Sequence, residues 1–391
     1  MKSRGFAIGV ALLGLAASCF PALGQTSLKI GMITTLTGAG GYLGQDIRDG
    51  FKLAVDGEGG RLGGSPVDLL VEDDGLKPGQ GKQIADRMMK NDNVKLFTGI
   101  VFSNVASATV PDILDAGGVF VSANAGPSSF AGKECNPNYF VISWLTDTMQ
   151  GSAGQNATDL GYKKAFLLAP NYQAGKDALE GFKRFFKGEI VGEIYTRLDQ
   201  TDFAVEMAQI RAVNPDVVFQ FHPGGLGIAF LRQYGQAGLL KTIPMVVAEP
   251  SMDHTTLAAV GDSALGLHVS GSWNTDLDNP TNRQFVASFV KAYGRTPTMY
   301  AAQGYDTALA IASALKATGG RVDDVPAFRK AMLVADFKST RGNFKFGANQ
   351  HPIQDWWAMT VEKDDTGAVV LKTRRKILSE QSDPYASQCK M

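Results

Sequence analysis

The sequence predicts an α/β protein of two lobes, each built on a largely parallel sheet. Short apolar runs alternate with amphipathic segments about every 25 residues, which is typical of βαβ units with right-handed crossovers. The chain has 391 residues, more than one hydrophobic core usually holds. The β/α pattern also starts again after residue 145, which indicates two similar lobes.

Ten short apolar runs are predicted as strands. Several are nearly continuous in hydrophobic residues, as expected for strands buried on both faces. Ten strands are many for one open sheet, which supports two sheets. The predicted strands are residues 28–34, 67–72, 95–101, 119–123, 139–143, 164–169, 189–195, 217–221, 245–248 and 267–271.

Amphipathic helices are predicted between these strands. Ile47, Phe51 and Val55 fall on one helical face, and Asp202 is the predicted N-cap of a helix over 203–213. Residues 280–335 are predicted to be mostly helical, with helices over 281–293, 299–318 and 325–335. Residues 354–377 form a predicted hairpin with its turn at 364–367.

The first 25 residues have the pattern of a secretory signal peptide. Lys2 and Arg4 precede an uncharged run, and small residues follow it, with cleavage expected near Gly24 and Gln25. A membrane anchor is the alternative, although the uncharged run is short for a span. Lipidation at Cys19 is a second alternative. The signal peptide (residues 1–24) predicts export from the cytoplasm.

The charge balance argues against nucleic acid as a partner. The chain has 38 Lys and Arg residues and 38 Asp and Glu residues. Loss of residues 1–24 removes Lys2 and Arg4 and no acid, so the mature chain is slightly negative. Binding to nucleic acid needs a basic surface, which this balance does not provide.

Two cysteines remain after cleavage, Cys135 and Cys389. In an oxidising compartment an even pair predicts one disulfide bond, and two free thiols are the alternative. A bond across a loop of this length would stabilise the fold by about 4–5 kcal/mol at most.

The patterns of common catalytic and cofactor sites are absent from the sequence. Residues 38–44 follow the first strand but give GxGxxxG rather than the dinucleotide fingerprint. The four histidines form no zinc motif, and no GxSxG elbow occurs. We therefore expect no enzyme activity, no cofactor and no metal.

The loops that follow the predicted strands are the candidate ligand site, because solutes bind beyond the carboxyl ends of parallel strands. Ser103 follows the third strand and opens a helix, so it is either an anion receptor or only an N-cap. Small-residue loops follow at 124–128, 170–175 and 222–225. Glu249 ends a strand and is either a buried binding group or a solvated loop acid.

The order and spacing of several segments resemble periplasmic solute-binding proteins of the leucine/isoleucine/valine type. These segments include LKIGMITTLTGAGGYLGQDIRDGF, GIVFSNVASA, VSANAGPSS, APNYQAGKDALEGF and PTMYAAQGYDTALAIASAL. The resemblance implies two Rossmann-like lobes joined by three hinge crossings, near residues 145, 274 and 351. Lobe one would be 25–145 plus 275–350, and lobe two 146–274 plus 351–391.

The resemblance also implies a set of solute-binding residues in the cleft between the lobes. Ser103 would hold a carboxylate, and Glu249 matches the acid that holds the ammonium in amino-acid binders. Amino-acid binders usually have Thr at the position of Gly126. The implied residues are Val101, Phe102, Ser103, Asn124, Ala125, Gly126, Tyr172, Phe219 or Phe221, Glu249 and Tyr300.

The function implied is that of the solute-binding subunit of an ABC importer, a monomer that delivers a small carboxylate to an inner-membrane permease. Either a branched-chain or other hydrophobic amino acid, or an aromatic acid, fits the implied residues, and the SANAGPS loop is similar to the subgroup for aromatic carboxylates. A sensory clamshell receptor and an exported enzyme are the alternative classes.

Overall fold

The structure is a computed structural model, and it describes residues 27–391. The predicted signal peptide, its cleavage site and Cys19 lie outside the described residues. Within the described residues, no helix combines the length and the apolar character needed to cross a membrane.

The first sheet of the described chain has six strands: β1 (Leu28–Thr34), β2 (Arg61–Leu62), β3 (Ser65–Asp73), β4 (Leu96–Thr98), β5 (Val119–Ser122) and β6 (Tyr139–Val141). Their order is β2-β3-β1-β4-β5-β6. The pairs β3-β1, β1-β4, β4-β5 and β5-β6 are all parallel. Their carboxyl ends therefore meet at one edge of the sheet.

The second sheet of the described chain has eight strands: β7 (Lys164–Pro170), β8 (Glu189–Thr196), β9 (Val217–Gln220), β10 (Met245–Ala248), β11 (His268–Gly271), β12 (Lys345–Phe346), β13 (Pro352–Lys363) and β14 (Val369–Gln381). The order is β12-β13-β11-β10-β9-β7-β8, with β14 paired to β13. β7 to β11 are parallel, and β13 joins β11 in antiparallel register. This arrangement again places the loops after β7, β9 and β10 side by side.

Helices cover both sheets. The α-helices of the described chain are α1 (Gly41–Gly57), α2 (Pro78–Asn91), α3 (Ser103–Asp115), α4 (Ser128–Ala131), α5 (Thr146–Asp159), α6 (Gln173–Phe185), α7 (Ala204–Val213), α8 (Gly225–Gln236), α9 (His254–Val260), α10 (Pro280–Tyr293), α11 (Met299–Thr318) and α12 (Val325–Val334). Helix α11 packs along α1, so the chain returns to the first sheet after β11. We call the first sheet and its helices the first lobe, and the second sheet and its helices the second lobe. The predicted two-lobe α/β fold is confirmed.

The buried strands follow the rule that predicted them. Along β7, Ala165 and Leu167 join one apolar cluster, whereas Phe166 and Leu168 join another on the opposite face. Both faces of the strand are thus covered, which explains why the run is apolar without alternation.

Two local predictions were wrong. The strand predicted over 95–101 ends at Thr98, because Gly99 adopts a φ of 105° and turns the chain out of the sheet. The predicted N-cap Asp202 lies one residue too early, since Phe203 holds the N-cap position of α7. The Asp202 carboxylate instead accepts the Ala204 N–H at 3.0 Å.

Cys135 and Cys389 form the predicted disulfide bond, with Cα atoms 5.6 Å apart. Cys135 precedes β6 in the first lobe, and Cys389 lies in the tail that follows β14. Tyr385 of this tail donates to Asp147 of α5 over 3.0 Å. The tail therefore connects the two lobes by a covalent bond at one end and a polar contact at the other.

Candidate functional site

A cavity lies between the lobes, where the carboxyl ends of the two sheets face each other. It holds about 360 Å³ of space free of protein atoms, part of it open to solvent. Its lining comes from loops after β4, β5, β6, β7, β9 and β10 and from the start of α11. The lining residues are Val101, Phe102, Ser103, Asn124, Ala125, Trp144, Thr146, Met149, Tyr172, Ala174, Phe221, Pro223, Pro250 and Tyr300.

Ser103 connects the two lobes across this cavity. It is the first residue of α3, and the N-cap position belongs to Phe102, which makes no side-chain cap bond. The Ser103 hydroxyl oxygen accepts the backbone N–H of Ala174, in the first turn of α6, at 2.9 Å. The N-termini of α3 and α6 therefore converge on one point, and the unpaired N–H groups of such ends favour an anion.

Five of the fourteen lining residues are aromatic. Tyr172 stacks on Phe221 with centroids 6.3 Å apart, and Phe102 lies 6.5 Å from Tyr172 at a tilt. Trp144 and Tyr300 are buried and complete the aromatic set. Flat apolar walls of this kind suit a flat apolar solute, because ring–ring contacts add to the burial of area.

No charged side chain is among the described residues that line the cavity. Nor does any group of His, Cys, Asp or Glu within residues 27–391 have the arrangement to hold a metal ion. The polar atoms at the cavity are hydroxyl, amide and backbone groups, which orient a solute by hydrogen bonds.

Glu249 does not line the cavity, and its carboxylate accepts hydrogen bonds from backbone groups outside it. Its carboxylate oxygens accept the backbone N–H groups of Ser272 and Trp273, each at 2.9 Å. A Cβ on Gly271 would lie 2.1 Å from the Glu249 carboxyl carbon, so only glycine leaves room for this contact. Burial raises the Glu249 pKa to about 7, while the two N–H donors and nearby Arg341 oppose the shift.

Phe219 and Gly126 are also outside the lining. Phe219 stacks on Phe182 with centroids 4.3 Å apart inside the second lobe, and Phe221 faces the cavity instead. A Cβ on Gly126 would lie 2.0 Å from the Trp144 carbonyl oxygen, so the loop packs directly on the chain that leaves β6. The structure thus brings eight of the sequence-predicted site residues to one cavity: Val101, Phe102, Ser103, Asn124, Ala125, Tyr172, Phe221 and Tyr300.

Six lining residues were not named individually as site residues: Trp144, Thr146, Met149, Ala174, Pro223 and Pro250. Ala174 and Pro223 do lie in the predicted ligand loops 170–175 and 222–225. Trp144 and Thr146 could have been predicted from the sequence, because both follow the carboxyl end of β6 and solutes bind beyond the carboxyl ends of parallel strands. Ala174 contributes through its backbone N–H, for which the side chain gives no signal.

Arg341 joins the chain segments that pass between the lobes. Its guanidinium donates to the carbonyl oxygens of Ile142 at 2.6 Å and Ser143 at 2.8 Å, and to Gln354 Oε1 at 2.6 Å. It also contacts Asp306 at 3.3 Å, and its side chain is only 5% exposed. The rigid fork of arginine donors suits this set of divergent acceptors.

Further contacts close the cleft around the cavity. Tyr42 of α1 donates to Asp253 of the second lobe at 2.8 Å. The Gly225 N–H donates to the Ala39 carbonyl at 2.9 Å, and the Ser128 hydroxyl donates to Asp177 at 2.7 Å. The lobes are therefore in contact through several hydrogen bonds around the site.

The chain is similar in sequence and fold to several known proteins. A family model described as periplasmic binding protein matches residues 27–367. The chain is 28% identical over 385 residues to Leu/Ile/Val-binding protein homolog 6 of Brucella melitensis, an alignment that covers 96% of this chain and 97% of the relative.

Two solved structures have nearly the same fold. A solute binding protein of an ABC transporter from R. palustris, in complex with benzoate, has a TM-score of 0.88 and 30% identity, covering 94% of this chain and 100% of the other. A second, from Rhodopseudomonas palustris BisB5 with 3,4-dihydroxy benzoic acid, has a TM-score of 0.84 and 29% identity, covering 92% and 99%.

Proposed function

The chain belongs to the periplasmic binding protein family, and we propose that it is the solute-binding subunit of an ABC importer whose solute is an aromatic carboxylate. The family consists of solute-binding proteins and not of enzymes. One observation carries the choice of solute: the lining combines five aromatic side chains with no charged side chain. The structures of the two R. palustris solute-binding proteins, in complex with benzoate and with 3,4-dihydroxy benzoic acid, support the same choice.

The proposed receptor for the carboxylate is the meeting point of α3 and α6. The Ala174 N–H now donates to the Ser103 hydroxyl oxygen at 2.9 Å, and this bond does not use the hydroxyl hydrogen of Ser103. A carboxylate between them would accept from both groups, and hydrogen bonds to an ionised acceptor are stronger than neutral ones. The positive ends of two 13-residue helices add to the attraction.

The aromatic part of the solute would lie between Tyr172, Phe221 and Trp144. Burying about 150 Å² of apolar solute surface contributes about 4 kcal/mol before the costs of association are subtracted. A solute that contacts both lobes at once would stabilise the closed arrangement of the lobes, because a ligand shifts the population toward the state that it binds best.

An amino acid is a weaker fit for the same cavity. Its ammonium group needs an anionic partner when it is buried. Glu249, which the family resemblance implies for that role, is already bound to Ser272 and Trp273 and does not line the cavity. The leucine-type name of the Brucella relative makes leucine, isoleucine and valine the necessary comparison solutes in any test.

The proposal includes location and partners. The protein would act in the periplasm as a monomer after removal of residues 1–24, and pass its solute to an inner-membrane permease. We propose residues 25–145 plus 275–350 and 146–274 plus 351–391 as the two lobes that move. The return of α11 to α1 and the pairing of β13 with β11 support this division. The two-residue strand β12 is the exception, since it falls within 275–350 but pairs with β13 of the second sheet.

A calorimetric and thermal-shift panel on residues 25–391 tests the proposed solute class. Benzoate should bind and raise the melting temperature, because a ligand of the native state stabilises it by mass action. Methyl benzoate, which has the ring but no ionised carboxyl group, is the matched control and should bind far more weakly. Binding of leucine, isoleucine or valine without binding of benzoate would overturn the aromatic assignment.

A further inference from the structure

The C-terminal tail, residues 382–391, crosses from the second lobe to the first. It follows β14, which pairs with β13 in the second sheet, and its residue Cys389 is bonded to Cys135 of the first lobe. Seven residues, 382–388, separate β14 from Cys389. A link of this length cannot extend beyond about 30 Å even when fully stretched. The tail is therefore a short covalent connection that limits how far β14 and Cys135 can separate.

Tyr385 of the tail contacts both lobes at once. A Cβ added to Gly132 of the first lobe would lie 3.6 Å from the Tyr385 Cβ, so the tail packs on this glycine. The Tyr385 hydroxyl donates to the Asp147 carboxylate at 3.0 Å and accepts from Arg184 at 3.2 Å, and both partners belong to the second lobe. A motion that separates Gly132 from Asp147 has to break one of these contacts.

The backbone around Tyr385 is fixed by further hydrogen bonds. The Asp383 carboxylate accepts the Asn349 side-chain amide and the Tyr385 backbone N–H, each at 2.7 Å. The same amide of Asn349 donates to the Ala131 carbonyl of the first lobe at 2.7 Å. Tyr385 is thus held before it meets the second lobe, which lowers the conformational entropy that its contact with Asp147 costs.

Asp147 in turn depends on Tyr385, because the Asp147 side chain is completely buried. One carboxylate oxygen accepts from Arg184 at 2.6 Å, and the other accepts the Tyr385 hydroxyl. The Arg184 guanidinium also lies over the Tyr385 ring, 5.4 Å from its centre. A buried carboxylate oxygen that loses its partner is costly, so the docked tail is favoured.

These contacts act on the two helices that carry the solute site. Asp147 lies in the first turn of α5 between Thr146 and Met149, which both line the cavity. Arg184 lies on α6, whose first turn supplies the Ala174 N–H of the proposed carboxylate receptor. Of the described residues that line the cavity, none belongs to the tail. The tail can therefore act on the solute only through the positions of α5 and α6 relative to the first lobe.

We propose that residues 382–389 are a disulfide-anchored strap that favours the closed lobes, and that Tyr385 is a positioning residue for solute binding. Loss of the Cys135–Cys389 bond or of the Tyr385 hydroxyl lowers the fraction of closed molecules, and the apparent affinity for a solute that binds the closed state falls in proportion. The inference adds a control of lobe motion to the proposed function and rests on that function only for the solute used as a probe.

Titration of residues 25–391 with benzoate compares the wild type with Tyr385→Phe, which keeps the disulfide and the ring. The dissociation constant of the variant should rise about three- to tenfold, mainly through faster release of benzoate, because the strap loses its bond to a buried carboxylate. Tyr195→Phe, at an exposed position on β8 outside the cavity lining, is the matched control and should bind as the wild type does.

The double variant Cys135→Ser/Cys389→Ser removes the covalent anchor. Without ligand, its radius of gyration in small-angle X-ray scattering should exceed that of the wild type, and benzoate should bring the two values together. Dithiothreitol, which reduces the bond to two thiols and is itself oxidised to a cyclic disulfide, should expand the wild type in the same way and leave the double variant unchanged. Urea unfolding of each sample verifies that it is folded.

The outcomes separate this inference from the proposed function. A purely structural tail would lower the urea midpoints and leave benzoate affinity and the ligand-free radius of gyration unchanged, which overturns the strap. The Tyr385→Phe titration decides the question if the double variant does not fold. Failure of benzoate to bind the wild type overturns the proposed function, and the ligand-free scattering then decides the strap: equal radii overturn it, and a larger radius in the double variant supports it.

Discussion

The hydroxyl oxygen of Ser103 accepts the backbone N–H of Ala174 over 2.9 Å, and this bond joins the first turn of α3 in one lobe to the first turn of α6 in the other. Either group alone would bind an anion weakly in water. Held together between two helix N-termini and behind aromatic walls, they form a receptor that a carboxylate can bridge. Solute binding and lobe contact therefore share the same atoms.

Ser103→Ala should weaken the binding of aromatic carboxylates by about 10- to 100-fold, because hydrogen bonds to charged groups contribute about 1.5–3 kcal/mol. Isothermal titration with benzoate measures the effect. Ser107→Ala is the control, since Ser107 is exposed on the same helix. Unchanged affinity in Ser103→Ala would show that the carboxylate binds elsewhere.

Glu249→Gln should leave benzoate affinity within about threefold, because Glu249 is bound to backbone N–H groups outside the cavity. The same titration measures it. A large loss of affinity would mean that the carboxylate of Glu249 takes part in solute binding, as expected for an amino-acid binder.

The same variant tests the pKa of Glu249, which burial raises from 4.5 to about 7. A raised pKa means that the folded state holds the proton more tightly than the unfolded state. This contribution to stability is present below pH 4.5 and is lost as the pH rises toward 7 and beyond. The stability of the wild type relative to Glu249→Gln should therefore fall between pH 5 and pH 8, by about 3 kcal/mol at most.

Urea unfolding of the wild type and of Glu249→Gln at pH 5 and at pH 8 measures this difference in the free energy of unfolding. The comparison with the variant matters because burial lowers the pKa of His222 to about 3, which gives the wild type an opposite trend below pH 6.5. Glu189→Gln, at an exposed position, should change the free energy of unfolding by less than about 0.5 kcal/mol at either pH. A pH-independent difference for Glu249→Gln would contradict the raised pKa.

Gly126→Ala should destabilise the protein by about 2–4 kcal/mol, because its Cβ would lie 2.0 Å from the Trp144 carbonyl oxygen and the backbone has to shift. Gly79→Ala is the matched control: it lies in α2 with no atom within 4 Å of the added Cβ, and should be neutral or slightly stabilising. Chemical denaturation measures both. Equal stability of the two variants would show that the loop at Gly126 can move freely.

Arg341→Lys should destabilise the protein by about 3 kcal/mol. A lysine ammonium cannot reach Ile142, Ser143 and Gln354 together, and Asp306 would be left buried with a poorer partner. Arg283→Lys removes an exposed guanidinium paired with Asp278 and should cost less than about 0.5 kcal/mol. Similar urea midpoints for the two variants would contradict the structural role of Arg341.

The strands and the two-lobe plan could be predicted because they depend on local composition. A strand segment covered on both faces must be apolar at every position, and residues 165–169 of β7 and all of β10 follow that rule. Helix α11 was predicted to the residue for a related reason, since its long run of helix-forming residues and its cap Thr298 are both local. The family resemblance was likewise confirmed by the match over residues 27–367.

The connections inside the site could not be predicted from the sequence in the same way. The Ser103–Ala174 bond joins residues 71 positions apart and uses a backbone donor. Glu249 is sequestered by N–H groups 23 and 24 residues away, and nothing in its own loop distinguishes it from a free binding acid. Both contacts depend on how the two lobes and their crossing segments pack, which is a property of the tertiary fold.

A crystal structure of residues 25–391 with the tightest-binding aromatic carboxylate of the panel tests the central claim most directly. The account predicts solute carboxylate oxygens within hydrogen-bond distance of the Ser103 hydroxyl and the Ala174 N–H, with the ring between Tyr172 and Phe221. A solute whose carboxylate lies away from Ser103 and Ala174, or a solute bound outside this cavity, would contradict it.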